Sequence, residues 1–175
     1  MFLRGVNVGG NKVFRPSLLA AELAQLDVVN VGAAGTFVVR GTVTTAALRA
    51  EILRRLTFET DVVICGGRDV LELVASDPFR DYPGPPEVTR FVTVLARRPR
   101  TVPPLPFEAR QPDRCEMTVF GVRGRFVLWI LRRLSARFLD PVRLVADTSF
   151  GATGTTRNWN TIVKIAAVLG SPARN

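Results

Sequence analysis

The sequence predicts a mixed α+β fold, in which a ferredoxin-like β-α-β-β-α-β N-terminal half precedes a second, smaller α/β half with an antiparallel hairpin and C-terminal helices. Helical and strand hydrophobic periodicities alternate through about the first 65 residues. The proline-rich stretch 78–87 then admits neither a helix nor a central strand. With 47% hydrophobic residues among 175, the chain can bury a sizeable core. We therefore expect subdomains at residues 1–77 and 88–175, joined by a linker at residues 78–87.

Each element of the first half has a local signal. Strands are predicted at residues 1–8, 28–31, 36–40 and 61–65, and helices at residues 16–26, 44–56 and 67–76. Pro16 is well placed to open the first helix, and Thr44 or Thr45 can cap the second. A small-residue turn at residues 32–35 fits a hairpin between the middle strands. The apolar stripe of the first helix comprises Leu18, Leu19, Leu23 and Leu26.

The second half is predicted to combine three strands with two helices. The strands cover residues 88–96, 116–120 and 125–130, a proline-rich loop covers residues 97–112, and helices begin near residues 140 and 156. Gly124 tolerates the positive φ of a tight hairpin turn, and Asp140 before Pro141 is typical of a helix start. The apolar stripe of the last helix comprises Trp159, Ile162, Val163, Ala166 and Leu169.

The composition excludes several classes of protein. Histidine is absent, which removes the commonest general base and the commonest metal ligand. Two cysteines exclude a disulfide scaffold, and no zinc-like cluster of four ligands occurs, so we expect no metal and no cofactor. No apolar run reaches the roughly 18 residues of a membrane-spanning helix, and no signal peptide is visible. We therefore expect no membrane partner and a cytoplasmic location.

Positive charge is concentrated in the second half of the chain. Residues 1–87 hold nine basic and ten acidic residues, whereas residues 88–175 hold fifteen and five, so the halves carry −1 and +10. Such a field attracts nucleic acid or another polyanion. Arginine supplies 22 of the 24 basic residues, which is equally typical of a GC-rich genome. Candidate phosphate contacts are the clusters at residues 97–100 and 132–133, with Arg123, Arg125 and Arg137.

Two segments are more specific than the rest of the chain. Residues 3–10 read Leu-Arg-Gly-Val-Asn-Val-Gly-Gly, and residues 155–161 read Thr-Thr-Arg-Asn-Trp-Asn-Thr. In this order and separation they resemble the domain of unknown function 1697 family, whose members open and end with closely similar motifs. The resemblance extends over the whole chain and implies a two-part α+β fold. It implies no activity.

The chain also departs from the family pattern. The first hairpin in that family usually reads Gln-Ser-Gly-Asn, whereas residues 33–36 here read Ala-Ala-Gly-Thr, so three polar side chains are lost or shortened. A family function that needs this turn would be affected. Cys65 stands where relatives commonly carry arginine, which weakens a catalytic interpretation of its thiol.

The loop after the first strand is one candidate binding site. The glycines within residues 5–10 expose backbone N–H groups, and Arg4, Asn7 and Lys12 supply further donors, as in an anion-binding nest. The spacing fits neither a Walker loop nor a Rossmann fingerprint. The alternative is that the glycines simply make a tight connection between strand and helix.

The start of the last helix is the other candidate site. Thr156, Arg157, Asn158 and Asn160 lie where unpaired N–H groups and the helix dipole favour a phosphate or carboxylate. In the structural alternative, Thr156 caps the helix, Trp159 fills the core and the asparagines bind loop carbonyls. We hypothesise that this segment and the first loop meet to form one site.

These observations favour a binding module for a phosphate-bearing or other anionic ligand, either a small molecule or nucleic acid. The alternative is a small enzyme acting on an anionic metabolite, with an Asp, Glu or Cys transferring the proton. In a third interpretation, both motifs only hold the two halves together. The residues leave open whether the protein is an enzyme.

Overall fold

A computed structural model describes residues 1–6, 14–82, 88–111, 115–134 and 147–171, and they form a mixed α+β fold. The chain divides into two units, one made of Met1–Leu71 with Val163–Asn175 and the other of Glu72–Ile162. The predicted linker prolines at 83–86, the predicted helix start at Asp140 and two predicted ligand contacts, Asn7 and Lys12, lie outside the described residues. The predicted domain limits at residues 77 and 88 remain a prediction.

The strands of the first unit form two antiparallel pairs. Strand β1 (Phe2–Leu3) pairs with β4 (Val62–Val63), and β2 (Val28–Asn30) pairs with β3 (Phe37–Val39). An isolated antiparallel bridge between Phe2 and Thr36 also connects β1 with the residue before β3. The predicted hairpin around residues 32–35 is therefore confirmed, although β1 is much shorter than the predicted strand at residues 1–8.

In the described part of the first unit, three helices begin: α1 (Pro16–Glu22), α2 (Thr45–Arg55) and α3 (Gly67–Ala75), with a short 3₁₀ helix at Ala24–Leu26. The predicted cap of α2 is confirmed, because the Thr44 hydroxyl accepts a hydrogen bond from the Ala47 N–H at 3.2 Å.

The core of the first unit is formed by side chains of α1, α2 and the strands. Its buried members include Leu3, Leu19, Leu23, Phe37, Leu48, Ile52 and Val62. Leu18, predicted to share the apolar stripe of α1, is instead 56% exposed. Leu19 and Leu23 are four residues apart and share one face, whereas Leu18 precedes Leu19 and lies about 100° around the helix.

The second unit is built on a five-stranded antiparallel sheet in the order β6-β7-β8-β5-β9. The strands are β5 (Val88–Leu95), β6 (Phe107–Gln111), β7 (Cys115–Arg123), β8 (Phe126–Arg133) and β9 (Gly154–Asn158). Among the described residues, helix α4 (Asp147–Phe150) lies between β8 and β9 in the sequence, and α5 (Trp159–Gly170) follows β9. The predicted β7–β8 hairpin is confirmed, and Gly124 at its turn has a φ of +59°.

Both faces of the central strands are covered. One cluster of buried side chains comprises Leu95, Met117, Val119, Val127, Trp129, Leu131, Phe150 and Ala152. Val92, Val94, Phe126 and Leu128 alternate with these along β5 and β8 and are buried as well. The sheet therefore provides a rigid support for the residues of β9.

Candidate functional site

Strand β9 carries a buried cation. Arg157 is 7% exposed and pairs with Val92 of the neighbouring strand. Among residues whose burial the structure describes, Arg157 is the only buried charged side chain. Its Nη1 group donates to Thr155 Oγ1 at 2.8 Å and to the Thr156 carbonyl oxygen at 2.7 Å. Both acceptors belong to β9 itself, so the strand holds one end of the guanidinium in place.

Burial lowers the pKa of the Arg157 guanidinium from its ordinary value to about 10, because the charged form loses hydration. That value still lies about three units above neutral pH, so the side chain remains protonated there. The result is a positive charge inside the protein that solvent screens only weakly.

Thr156, the residue before Arg157, belongs to a buried hydrogen-bond network on the opposite face of the sheet. The hydroxyls of Thr156 and Thr93 are 2.7 Å apart, and the Trp129 Nε1–H donates to Thr93 Oγ1 at 3.0 Å. All three side chains are buried. Thr156 therefore has a structural role in joining β9 to β5, and its predicted contact with a ligand stays a prediction.

The last helix begins later than predicted. Thr156 and Arg157 lie in β9, and α5 starts at Trp159. Asn158 caps the helix, because its Oδ1 accepts hydrogen bonds from the N–H and the hydroxyl of Thr161, both at 2.9 Å. The predicted cap at Thr156 is wrong: its hydroxyl is already engaged across the sheet by Thr93, whereas the Asn158 carboxamide faces the orphan N–H of the first turn.

The first turn of α5 combines an exposed polar residue with a packed aromatic one. Asn160 is exposed. Trp159 is half-buried and packs on Phe79 with ring centroids 5.0 Å apart. Val163, predicted on the buried stripe, is 40% exposed, whereas Ile162 and Ile165 are buried.

In the first motif the structure describes only part of the predicted site. Arg4 Nη1 lies 3.4 Å from Asp61 Oδ2, and the two side chains are 27% and 58% exposed. The Arg4 N–H also donates to the Asp61 carbonyl oxygen at 3.0 Å. Arg4 belongs to the first unit and Arg157 to the second. Their predicted meeting in one site remains a hypothesis.

Several of the predicted phosphate-contacting arginines have contacts inside the protein. Arg125 donates to the carbonyl oxygens of Leu95 and Ala96 at 2.7 and 2.6 Å, and Arg97 donates to that of Gly151 at 2.9 Å. Arg132 lies 3.7 Å from a Glu116 carboxylate oxygen. Arg137 lies outside the described residues.

Acidic and sulfur ligands do not gather in the described part of the chain. No group of three His, Cys, Asp or Glu residues there could hold a metal ion. Cys65 is half-buried. The pKa of Glu51 is lowered by hydrogen bonds from Arg54 and Arg55, which makes it a poor general acid. In the same ranges, no helix is both long enough and apolar enough to cross a membrane.

Sequence reasoning missed the Thr93–Thr156–Trp129 network. A signal was present, because Thr93 alternates with Phe91 and Leu95 at positions that face the core. A hydroxyl on a core-facing position of a strand needs a partner. The sequence does not identify the partner, because its pattern predicts Thr156 in a helix rather than in a strand.

Fold and site together define a mixed α+β protein that carries a buried arginine on a strand at the edge of a sheet. The chain belongs to the family described as Protein of unknown function (DUF1697), whose model matches residues 1–122. That match includes the first motif at residues 3–10 and ends before the second at residues 155–161. Neither the curated proteins nor the solved structures yielded a match. The predicted family is confirmed, and its description assigns no activity.

Proposed function

We propose that the protein binds a phosphate-bearing or other anionic ligand through its second unit, with Arg157 as the principal contact. The supporting observation is the buried charge of this side chain, which is 7% exposed and protonated at neutral pH. A charge that water screens only weakly attracts an anion more strongly than an exposed charge does.

The hydrogen bonds of Arg157 prepare it for an anion. Its Nη1 is fixed by Thr155 and Thr156, so the planar group loses little conformational freedom when a ligand arrives. A guanidinium can make two parallel hydrogen bonds to a phosphate or carboxylate, which a lysine cannot. The charge of +10 on residues 88–175 raises the local concentration of anions.

The other predicted contacts complete the proposal. Asn160 is exposed on the first turn of α5, and Asn158 retains its amide NH₂ as a donor while its Oδ1 caps the helix. Thr156 would contribute through its backbone. Arg4, Asn7 and Lys12 belong to the first unit, and we propose them as a separate set of contacts on their sequence pattern alone, since the first motif combines glycines with these donors.

Thermal unfolding with and without ligands tests the proposal. The panel contains inorganic phosphate, nucleotides, phosphosugars, coenzymes and short oligonucleotides, each at 50 and 200 mM salt. We expect a small phosphate compound to raise the melting temperature at both salt concentrations, because binding to the native state stabilises it. Arg157→Met keeps much of the side-chain length without the charge, and we expect it to abolish the rise.

The matched control is Arg54→Gln, which removes one positive charge from a side chain that is 67% exposed. It should respond to ligand as the wild type does. A rise that survives in Arg157→Met, or that is lost equally in both variants, contradicts the proposal. Should Arg157→Met fail to fold, Arg157→Lys keeps the charge, and we expect at least tenfold weaker binding from the lost bidentate contact.

The strand pairs of the first unit also support the ferredoxin-like topology, which we propose in the order β4-β1-β3-β2. Two hydrogen bonds join the pairs, from the Leu3 N–H to the Gly35 carbonyl at 2.8 Å and from the Phe37 N–H to the Met1 carbonyl at 2.9 Å. In a four-stranded sheet of this order, β1 and β3 are the central strands. We therefore expect the amides of Leu3 and Phe37 to exchange with solvent as slowly as that of Ile52 in the core.

A further inference from the structure

Five arginines gather at one end of the five-stranded sheet. There β5 ends at Leu95, the β7–β8 hairpin turns at Gly124 and β9 begins at Gly154. The register places these points together, because Val94 pairs with Phe126 and Leu95 pairs with Gly154. We call this surface the arginine end; it comprises Arg97, Arg98, Arg100, Arg123 and Arg125.

Two of these arginines fix the geometry of the surface. Arg125 donates to the carbonyls of Leu95 and Ala96, and Arg97 donates to the carbonyl of Gly151. The Ala96 N–H further donates to the Thr153 carbonyl at 2.7 Å. These hydrogen bonds connect the loop after β5, the turn between β7 and β8, and the loop before β9. The backbone that carries the arginines is therefore held in place.

The other three arginines face solvent. Arg98, Arg100 and Arg123 are exposed, and no hydrogen bond or ion pair within the described ranges engages their guanidinium groups. The segments that form this end, residues 96–106, 121–126 and 149–153, contain no Asp or Glu. Their positive charge is therefore not offset by acidic residues of the same loops.

We propose that the arginine end binds the phosphate backbone of a nucleic acid. The four strands β7, β8, β5 and β9 span about 14 Å at the usual spacing, so the arginines reach over more than one phosphate group. A regularly spaced polyanion meets such a surface at several points, whereas a single small phosphate compound cannot. Arginine also suits phosphate through its bidentate geometry. The proposal goes beyond the Arg157 site and uses none of its residues.

Fluorescence anisotropy with a labelled 20-base-pair DNA duplex, titrated between 50 and 200 mM salt, tests this proposal. The test variant is Arg98→Gln/Arg100→Gln/Arg123→Gln, and the matched control is Arg49→Gln/Arg54→Gln/Arg68→Gln, which removes three exposed charges from the first unit. Each lost phosphate contact lowers the log–log salt slope by about 0.9. We therefore expect the test variant to lose about 2.7 from the slope and the control to keep it.

An unchanged slope in the test variant, or an equal loss of slope in both triple variants, would overturn the proposal. So would a protein that does not bind the duplex but binds phosphatidylserine vesicles, if the same three substitutions abolish the vesicle binding. Equal melting temperatures of the two triple variants establish that both are folded. The arginine-end triple variant should keep the rise in melting temperature that inorganic phosphate gives the wild type. This arm separates the arginine end from the Arg157 site, since either proposal can fail alone.

Discussion

The ionisation of Arg157 predicts how ligand binding depends on pH. Its pKa of about 10 in the unliganded protein means that the charge persists through neutral pH and is lost as the pH rises through 10. We expect the dissociation constant for a phosphate monoester to stay flat between pH 7 and 9. Above pH 10 it should rise by up to tenfold per pH unit, because the neutral guanidinium no longer attracts the anion.

Isothermal titration calorimetry from pH 5 to 10.5 measures this profile, with circular dichroism to verify that the protein is folded at each pH. Below about pH 6 the phosphate itself gains a proton, so the affinity should fall on that side too. The chain contains no histidine to add another transition in that range. A rise in the dissociation constant already between pH 7 and 9 would show that Arg157 does not govern binding.

Thr93 offers a test of the buried hydrogen-bond network. Thr93→Val preserves the shape of the side chain but removes the partner of both the Trp129 N–H and the Thr156 hydroxyl. We expect a loss of about 2 kcal/mol in the free energy of unfolding, measured by urea denaturation, because two buried polar groups are left unsatisfied.

Thr93→Ser is the control, because it keeps the hydroxyl. It should retain most of the stability apart from the loss of one methyl group. Thr93→Val combined with Thr156→Val should cost less than the two single changes added together, since the pair interacts directly. Strict additivity would show that the network contributes nothing as a unit.

At the scale of secondary structure, the connection between β9 and α5 depends on one cap. Asn158→Ala removes the acceptor of the Thr161 N–H and hydroxyl, and we expect it to cost about 1 kcal/mol of unfolding free energy in urea. Asn158→Asp restores the acceptor and places a negative charge at the helix start, so it should be at least as stable as the wild type.

The same pair of variants separates capping from ligand binding. Asn158→Asp lacks the amide NH₂ that the proposed site uses and adds a charge that repels an anion. It should therefore bind ligand more weakly than the wild type although its stability is retained. Wild-type affinity in Asn158→Asp would restrict this residue to capping.

A comparison of α2 with β9 shows how far the sequence predicts secondary structure. For α2, the apolar spacing of Leu48 and Ile52 and the cap at Thr44 act within one helix, so local chemistry is enough. In contrast, β9 is a glycine followed by four polar residues, and its strand conformation comes from its pairing with β5. Intrinsic propensity is overridden there by tertiary contacts.

The candidate site shows the same limit. The residue types around Arg157 indicate an anion site, and its family motif draws attention to the segment. Its burial could not be predicted, because exposure depends on which strand lies beside it and what covers that face. Likewise, Phe107 comes after a segment with four prolines, which predicts a loop. It lies in a strand because β6 pairs with β7, a contact that the local sequence does not reveal.

At the scale of the whole molecule, the predicted division into domains can be tested by the optical probes that the chain carries. Both tryptophans, Trp129 and Trp159, lie in the second unit. Ile52 is fully buried in the core of the first. For separately folding domains, Ile52→Ala should lower the stability of the first by about 3 kcal/mol through the cavity it leaves.

We expect that change to lower the urea midpoint of the circular dichroism transition while the tryptophan fluorescence transition stays in place. Val127→Ala, in the core of the second unit, is the converse control and should shift the fluorescence transition. Coincident transitions that move together in both variants would show a single cooperative unit and contradict the predicted division.

The position of β9 in the sheet has a consequence for how the protein is synthesised. β5 obtains its first neighbour only when β8 is made, since Val88 pairs with Arg132, and its second when β9 is made, since Leu95 pairs with Gly154. At about 5–20 residues per second, a ribosome needs several seconds to synthesise the part of the chain between β5 and β9. During that time, β5 is an apolar strand with unpaired backbone groups, and it can pair with strands of other protein chains. We therefore expect the nascent protein to depend on chaperones most strongly before Asn158 has emerged, and a chain truncated before Gly154 to aggregate.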